Sequence, residues 1–265
     1  VHAPERLVMA LPGGASLLLM PAAEPTLTIT KLVTVHPSQQ PSVRAEVWVT
    51  RTSTGERLAL LDGAVVTARR TAALSLLAAQ TLAPHPSEPL LIIGAGTQGR
   101  SHLEAFQEGL GTDKVYVHSR TLEHAEALAS YARGRGLLAQ AVRSLEPVLE
   151  EVGLIVCATT SSRPVLLQAP SGVFIAAVGA YRPDMAEVAP AVVQQAQVYV
   201  DTLEGARSEA GDLLQAEVDW NKVQPLARAL HQAKPAAGPV LFKSVGHALW
   251  DLAAARLAVQ SLGIG

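Results

Sequence analysis

Three glycines, Gly94, Gly96 and Gly99, follow the apolar run Leu90-Leu-Ile-Ile93 and open a helical stretch, Arg100 to Glu108. A strand, a glycine-spaced turn and a helix in that order form a seat for a dinucleotide pyrophosphate. The first glycine permits the tight turn, the second lets backbone approach the phosphates, and the third allows close packing of helix on strand. Free N–H groups at the helix start favour the anion. A ligand-free glycine turn is the competing reading. The next strand, Val115-Tyr-Val-His118, ends in Ser119-Arg120, about 20 residues on, where an acid for the ribose hydroxyls would stand in an NAD site. No acid is present. A hydroxyl beside a guanidinium suits a 2′-phosphate, so NADPH is the expected cofactor, with NADH possible. An exposed arginine at a strand end is the plainer alternative.

Two cations occupy places where an unpaired charge is costly. Lys31 interrupts an apolar strand, and Arg70 shares a polar helical stripe with Thr67, Thr71 and Ser75. The stripe can face a site, and a carboxylate ligand would neutralise both charges; ion pairing with an Asp or Glu of the chain is the other possibility. No His, Cys, Asp or Glu cluster has metal-ligand spacing, and no Ser/His/Asp order points to hydrolysis. His102 and His247 read as structural helix residues, His36 as a loop residue, and Asp184 with Glu187 as a solvated turn and helix start.

These residues need two kinds of scaffold. From Leu7 to Leu61, short β-rich runs between turn residues predict a mostly antiparallel sheet, and Val65 to Leu82 predicts a helix. The Pro84-His-Pro86 and Pro89 cluster reads as a linker. Strands are then expected at 90–93, 115–118, 137–142, 154–158, 173–178 and 197–200, with helices between them, which implies a doubly wound parallel sheet. A last helix, Val245 to Val259, carries only Asp251 and Arg256 as charges after His247 and should pack broadly. The fold class is therefore α/β: a Rossmann-type sheet plus an antiparallel α+β part.

Composition narrows the partner. With 265 residues, 17% of them charged, and a net charge of −2, the chain has no electrostatic field for nucleic acid or an anionic membrane, and a small molecule fits better. No apolar segment reaches the ~20 residues of a membrane helix. The single cysteine, Cys157, sits in the apolar run Leu154-Ile-Val-Cys-Ala158, so a reducing, cytoplasmic setting is expected. The chain begins at Val1 and enters a strand-like run almost at once, from which a further upstream segment is expected.

Taken in order, Leu19-Met-Pro21, Thr30-Lys-Leu-Val-Thr34, Leu58-Ala-Leu-Leu-Asp-Gly63, Thr67-Ala-Arg-Arg-Thr-Ala-Ala73, Gly94-Ala-Gly-Thr-Gln98 and Phe242-Lys-Ser-Val-Gly246 resemble the ornithine cyclodeaminase/mu-crystallin family over essentially the whole chain. The resemblance implies a homodimer and a discontinuous two-domain subunit: residues 1–83 and 245–265 for substrate and dimerisation, and 84–244 as the Rossmann domain. It implies that Arg6, Lys31 and Arg70 hold the substrate. It also implies cofactor contacts from Gly94, Gly96, Thr97, Gln98 and Gly99, from Ser119, Arg120 and His124, from Ala158, Thr159 and Thr160, and from Val178 and Ser244. Thr159 and Thr160 could instead cap the following segment, and Ser244 to Gly246 could be a plain helix start.

Cyclodeaminases of this family carry an essential aspartate in a Gly-Gly-Asp turn after the fifth Rossmann strand. This chain has Val178-Gly-Ala-Tyr181 there, which argues against ornithine cyclisation. His2-Ala-Pro-Glu-Arg6, Lys31-Leu-Val-Thr-Val-His-Pro37 and Glu46-Val-Trp-Val49 look most like the family's reductases of Δ1-pyrroline-2-carboxylate and Δ1-piperideine-2-carboxylate. The expected substrate is then a small cyclic imino acid, with Lys31 and Tyr181 as catalytic candidates and Tyr181 also against the substrate. His36 could also manage the proton. An alanine dehydrogenase-like enzyme, an ornithine cyclodeaminase and a mu-crystallin-like binding protein remain alternatives.

Overall fold

Alternating side chains between Leu7 and Asp62 produce five antiparallel strands: β1 (Leu7–Ala10), β2 (Ser16–Ala23), β3 (Leu27–Val35), β4 (Val43–Arg51) and β5 (Arg57–Asp62), paired in sequence order. The computed structural model describes residues 1–36, 38–39, 43–231 and 238–264, so Pro37 of the string quoted above lies outside it. Helix α1 (Gly63–Leu82) follows directly. One face of the sheet, with Met20, Ala22, Ile29, Val47 and Val49, packs against Ala248, Leu252, Ala255 and Val259 of the final helix α9 (Ala248–Leu262). Those four recur at i, i+4, i+7 and i+11, the spacing that gives a helix one apolar stripe.

The remaining strands are parallel: β6 (Leu90–Ile93), β7 (Lys114–His118), β8 (Leu138–Ala141), β9 (Leu154–Cys157), β10 (Phe174–Ala177), β11 (Gln197–Val200), β12 (Gln224–Pro225) and β13 (Val240–Lys243), in the spatial order β12-β11-β13-β10-β9-β6-β7-β8. Helices α2 (Thr97–Leu110), α3 (Leu122–Gly134), α4 (Glu146–Leu149), α5 (Pro190–Gln195), α6 (Leu203–Glu209), α7 (Gly211–Gln215) and α8 (Leu226–Ala229) connect them. Successive strand residues supply two separate cores. Leu91, Ile93, Ile155, Cys157, Ile175 and Leu241 face one, while Leu90, Ile92, Leu154, Val156, Phe174 and Phe242 face the other. Covering both faces explains why these strands read as unbroken apolar runs. β13, between β11 and β10, was not among the expected strands. Its last residue is Lys243, a charge that breaks the apolar pattern although it is fully buried.

The chain divides into two compact units, Val1–Arg70 with His247–Gly265, and Thr71–Gly246. The division falls inside α1 and not after residue 83, because Ala78, Ala79, Leu82 and Ala83 are buried in a core of the second unit.

Candidate functional site

In the second unit the strand ends are level: Ile93 pairs with His118 and Cys157, Cys157 with Ala177, and Ala177 with Lys243. The next residue of each strand, Gly94, Ser119, Ala158, Val178 and Ser244, therefore lies along one carboxyl edge. The chain runs from β6 outward to β7 and β8, then returns to β9 on the other side of β6. Ligands of open α/β sheets bind at such a reversal. Gly94 adopts φ +113, and a Cβ there would stand 2.4 Å from the Ala158 carbonyl oxygen. At Gly99 a Cβ would stand 2.0 Å from the Gly94 oxygen, so α2 can approach β6 only with glycine at that position. Gly96 is different: it is exposed, and a Cβ there would meet nothing within 4 Å. Open space before an exposed helix start fits the phosphates of a dinucleotide.

Thr97 and Gln98 form the first turn of α2, and the Oε1 of Gln98 is buried with no hydrogen-bond partner among the described residues. Arg120 is exposed between β7 and α3, His124 is exposed in the first turn of α3, and Thr160 is exposed after β9. The Thr159 hydroxyl accepts from the Ser161 N–H at 3.2 Å, the local capping role considered for it. The Ser244 hydroxyl donates to Asp201 at 2.7 Å, and the same carboxylate oxygen accepts from the Val245 and Gly246 N–H groups.

Glu187 overturns the expectation of a solvated helix start. Its side chain is fully buried and accepts from the Thr159 N–H and hydroxyl, the Gly179 N–H and the Ala180 N–H, at 2.6 to 3.2 Å. Burial raises its pKa, against the lowering influence of Lys243 and of these donors. Asp212 in turn accepts from the Glu187 and Val188 N–H groups and pairs with Lys243 at 2.8 Å. These buried charges tie together the chain as it leaves β9, β10 and β13. Tyr181, two residues past Gly179, is 37% exposed on this edge loop. Asp184 is exposed and pairs with Arg182, as a solvated turn should.

In the first unit, Lys31 and Arg70 are ion-paired within the chain, the alternative to neutralisation by a carboxylate ligand. Asp251 of α9 approaches Lys31 Nζ at 2.7 Å and accepts from Arg70 Nε at 3.1 Å. All three side chains are nearly inaccessible. Burial lowers the Lys31 pKa to about 8; Asp251 opposes that fall, and Arg70 and Arg6 add to it. The polar stripe of α1 is correspondingly occupied by protein partners: Thr67 accepts from Lys31, and Ser75 bonds His102 at 2.9 Å. Thr71 is buried. His102, also bonded to the Gln98 carbonyl, is pushed by burial to about 4 and is neutral at physiological pH, a structural residue. His247 caps the N-terminus of α9, and its ring accepts from the Leu249 N–H. His36 follows β3 and is half-buried.

The second unit carries a sheet edge of the dinucleotide-binding kind, and the first unit carries a buried cluster of two cations on one carboxylate. The ornithine cyclodeaminase/mu-crystallin family pattern matches residues 2–262. The chain belongs to the ornithine cyclodeaminase/mu-crystallin family. A Δ1-pyrroline-2-carboxylate reductase of Burkholderia multivorans is 39% identical over 99% of this chain and 86% of its own length. The ketimine reductase mu-crystallin of Mus musculus is 38% identical over 92% of this chain and 79% of its own. The structure of Thermococcus litoralis Δ1-pyrroline-2-carboxylate reductase, solved with NADH and L-proline, superposes with a TM-score of 0.91 at 28% identity, covering 99% of this chain and 88% of that one.

For this family member, sequence reasoning missed Asp251, Glu187, Asp212 and Lys243. A signal existed for Asp251, because a charge at 251 falls on the apolar stripe of α9 beside Ala248, Leu252 and Ala255. Lys243 is the corresponding misfit in a buried strand. Glu187 had no such mark, since its partners come from loops.

Proposed function

We propose that this chain uses NADPH to reduce the C=N bond of cyclic ketimine carboxylates, Δ1-pyrroline-2-carboxylate to L-proline and Δ1-piperideine-2-carboxylate to L-pipecolate. The observation that carries the reading is the Lys31–Asp251–Arg70 cluster, in which two buried cations share one carboxylate and one unit of positive charge is left for a substrate anion. Arg6 adds positive potential at Lys31. The near full-length similarity to ketimine reductases supports the same substrate class.

In this proposal the phosphates lie over Gly94, Gly96 and Gly99 with Thr97 and Gln98. Ser119, Arg120 and His124 hold the adenosine 2′-phosphate end. Ala158, Thr159, Thr160, Val178 and Ser244 border the nicotinamide, the hydride source when bound. Arg6, Lys31 and Arg70 hold the carboxylate beside the imine carbon, and Tyr181 and Lys31 attend the ring nitrogen. A protonated imine is already an electrophile, so alignment is the protein's main contribution.

Purified protein with NADPH should consume cofactor in step with formation of L-proline or L-pipecolate. Turnover of pyruvate with ammonia, and of neither imine, would make it an amino-acid dehydrogenase instead. We further propose a homodimer formed through the open face of the antiparallel sheet. Leu32, Trp48 and Leu60 are 40%, 44% and 53% exposed there, with Trp48 opposite Thr30 and Leu60 in the strand register. Light scattering should give twice the chain mass, and a monomer mass at micromolar concentration would exclude this. No helix among the described residues is long and apolar enough to cross a membrane. A cytoplasmic setting is part of the proposal, supported by Cys157, whose thiol is fully buried and pushed up by burial.

A further inference from the structure

An acid inside a seat for a carboxylate opposes the ligand by charge alone, and Asp251 lies between the two cations that would hold it. We infer that Asp251 is a positioning residue for substrate: it fixes Lys31 and Arg70 to one point and keeps Lys31 an ammonium at neutral pH, so that the pair presents one positive charge to the substrate's carboxylate. The inference rests on the functional reading above.

The geometry gives Asp251 both tasks. One carboxylate oxygen meets Lys31 Nζ at 2.7 Å, and the other accepts from Arg70 Nε at 3.1 Å. Binding through Nε leaves the pair of terminal guanidinium nitrogens outside that bond, and such a fork matches a second carboxylate. The groups that face Lys31 are few. Asp251 comes from α9, Arg70 and the Thr67 hydroxyl from α1, and Arg6 from the segment before β1. Its neighbours in the sheet, Met20 on β2 and Val47 on β4, carry no charge. Among the charged groups here, Asp251 favours the ammonium, while burial, Arg70 and Arg6 all oppose it. Without Asp251, a buried amine beside two guanidinium groups sheds its proton, and a neutral amine is a poor carboxylate ligand.

The test is Asp251→Asn in the full chain, read through the 13Cε resonance of Lys31, assigned by its loss in Lys31→Met. The Lys31 titration midpoint should fall by about one pH unit or more, the usual effect of losing an adjacent opposite charge. KM for the cyclic imine at pH 7.5 should rise about tenfold or more, with a smaller change in kcat, and should recover as the pH is lowered and Lys31 is reprotonated. An unmoved midpoint, or a KM increase that is the same at every pH, overturns the inference. If Asp251→Asn does not fold, Arg70→Gln decides: removal of a like charge should raise the midpoint, and a fixed or lowered one overturns the inference. The resonance needs no turnover. A wild-type chain inactive on both imines therefore refutes the functional reading and with it the substrate role of Asp251, while a shifted midpoint would still establish its hold on Lys31.

Discussion

Gly96 and Gly99 lie in one turn, yet an added methyl group should act on them in opposite ways. At Gly99 it collides with the Gly94 carbonyl, so Gly99→Ala is expected to destabilise the chain by about 3 kcal/mol in chemical denaturation. At Gly96 it enters open space, so Gly96→Ala should change stability by less than about 0.5 kcal/mol. It should nonetheless weaken dinucleotide binding by roughly tenfold or more, because it fills the approach to the phosphates. Undiminished binding by Gly96→Ala would move the phosphates elsewhere. Arg120 makes a different prediction. Being exposed, it adds little to the fold, and Arg120→Ala should raise the Kd for NADPH by about tenfold and that for NADH by less than about twofold. Equal loss in a fluorescence titration would show that Arg120 does not read the 2′-phosphate. Single residues were legible where local spacing defines their use, as in this turn. Asp251 was not, because 181 positions separate it from Arg70 and only the packed fold brings them together.

Between elements, the buried contact of α1 with α2 through Ser75 and His102 contributes a component of the response to acid. The folded state holds His102 neutral down to about pH 4, against 6.5 for an unperturbed imidazole. Between those values the unfolded chain binds the additional proton, so stability is full above pH 6.5 and is lost as the pH falls toward 4. The loss amounts to about 3 kcal/mol. His102→Gln should remove that component, and the difference between wild type and variant in denaturation midpoint should narrow steadily from pH 7 to pH 4. A constant difference would mean that His102 does not titrate as described. Strands and helices with an uninterrupted period were legible as elements. β13 was not, since Lys243 breaks its apolar run and its compensating acids, among them Asp212, are distant in sequence. Glu187 was misread for a related reason: its backbone segment looks like a solvated turn, and its four donors arrive from the loops after β9 and β10.

For the molecule as a whole, both sheets and their order of appearance followed from the sequence, because alternation of side chains marks one buried face in the antiparallel strands and two in the parallel ones. The position of the unit boundary did not. α1 is one uninterrupted helical pattern, and nothing local marks Arg70 and Thr71 as belonging to different units. In the proposed site of the first unit, two cations and one acid would define what the substrate must carry. Reduction of Δ1-pyrroline-2-carboxylate should therefore be compared with that of Δ1-pyrroline, the same ring without the carboxylate, under identical NADPH concentrations. Loss of charge-assisted bonds worth about 2–3 kcal/mol predicts a kcat/KM roughly a hundredfold lower for Δ1-pyrroline. Equal kcat/KM for the two rings, or no reduction of the carboxylate-bearing ring, would contradict the account.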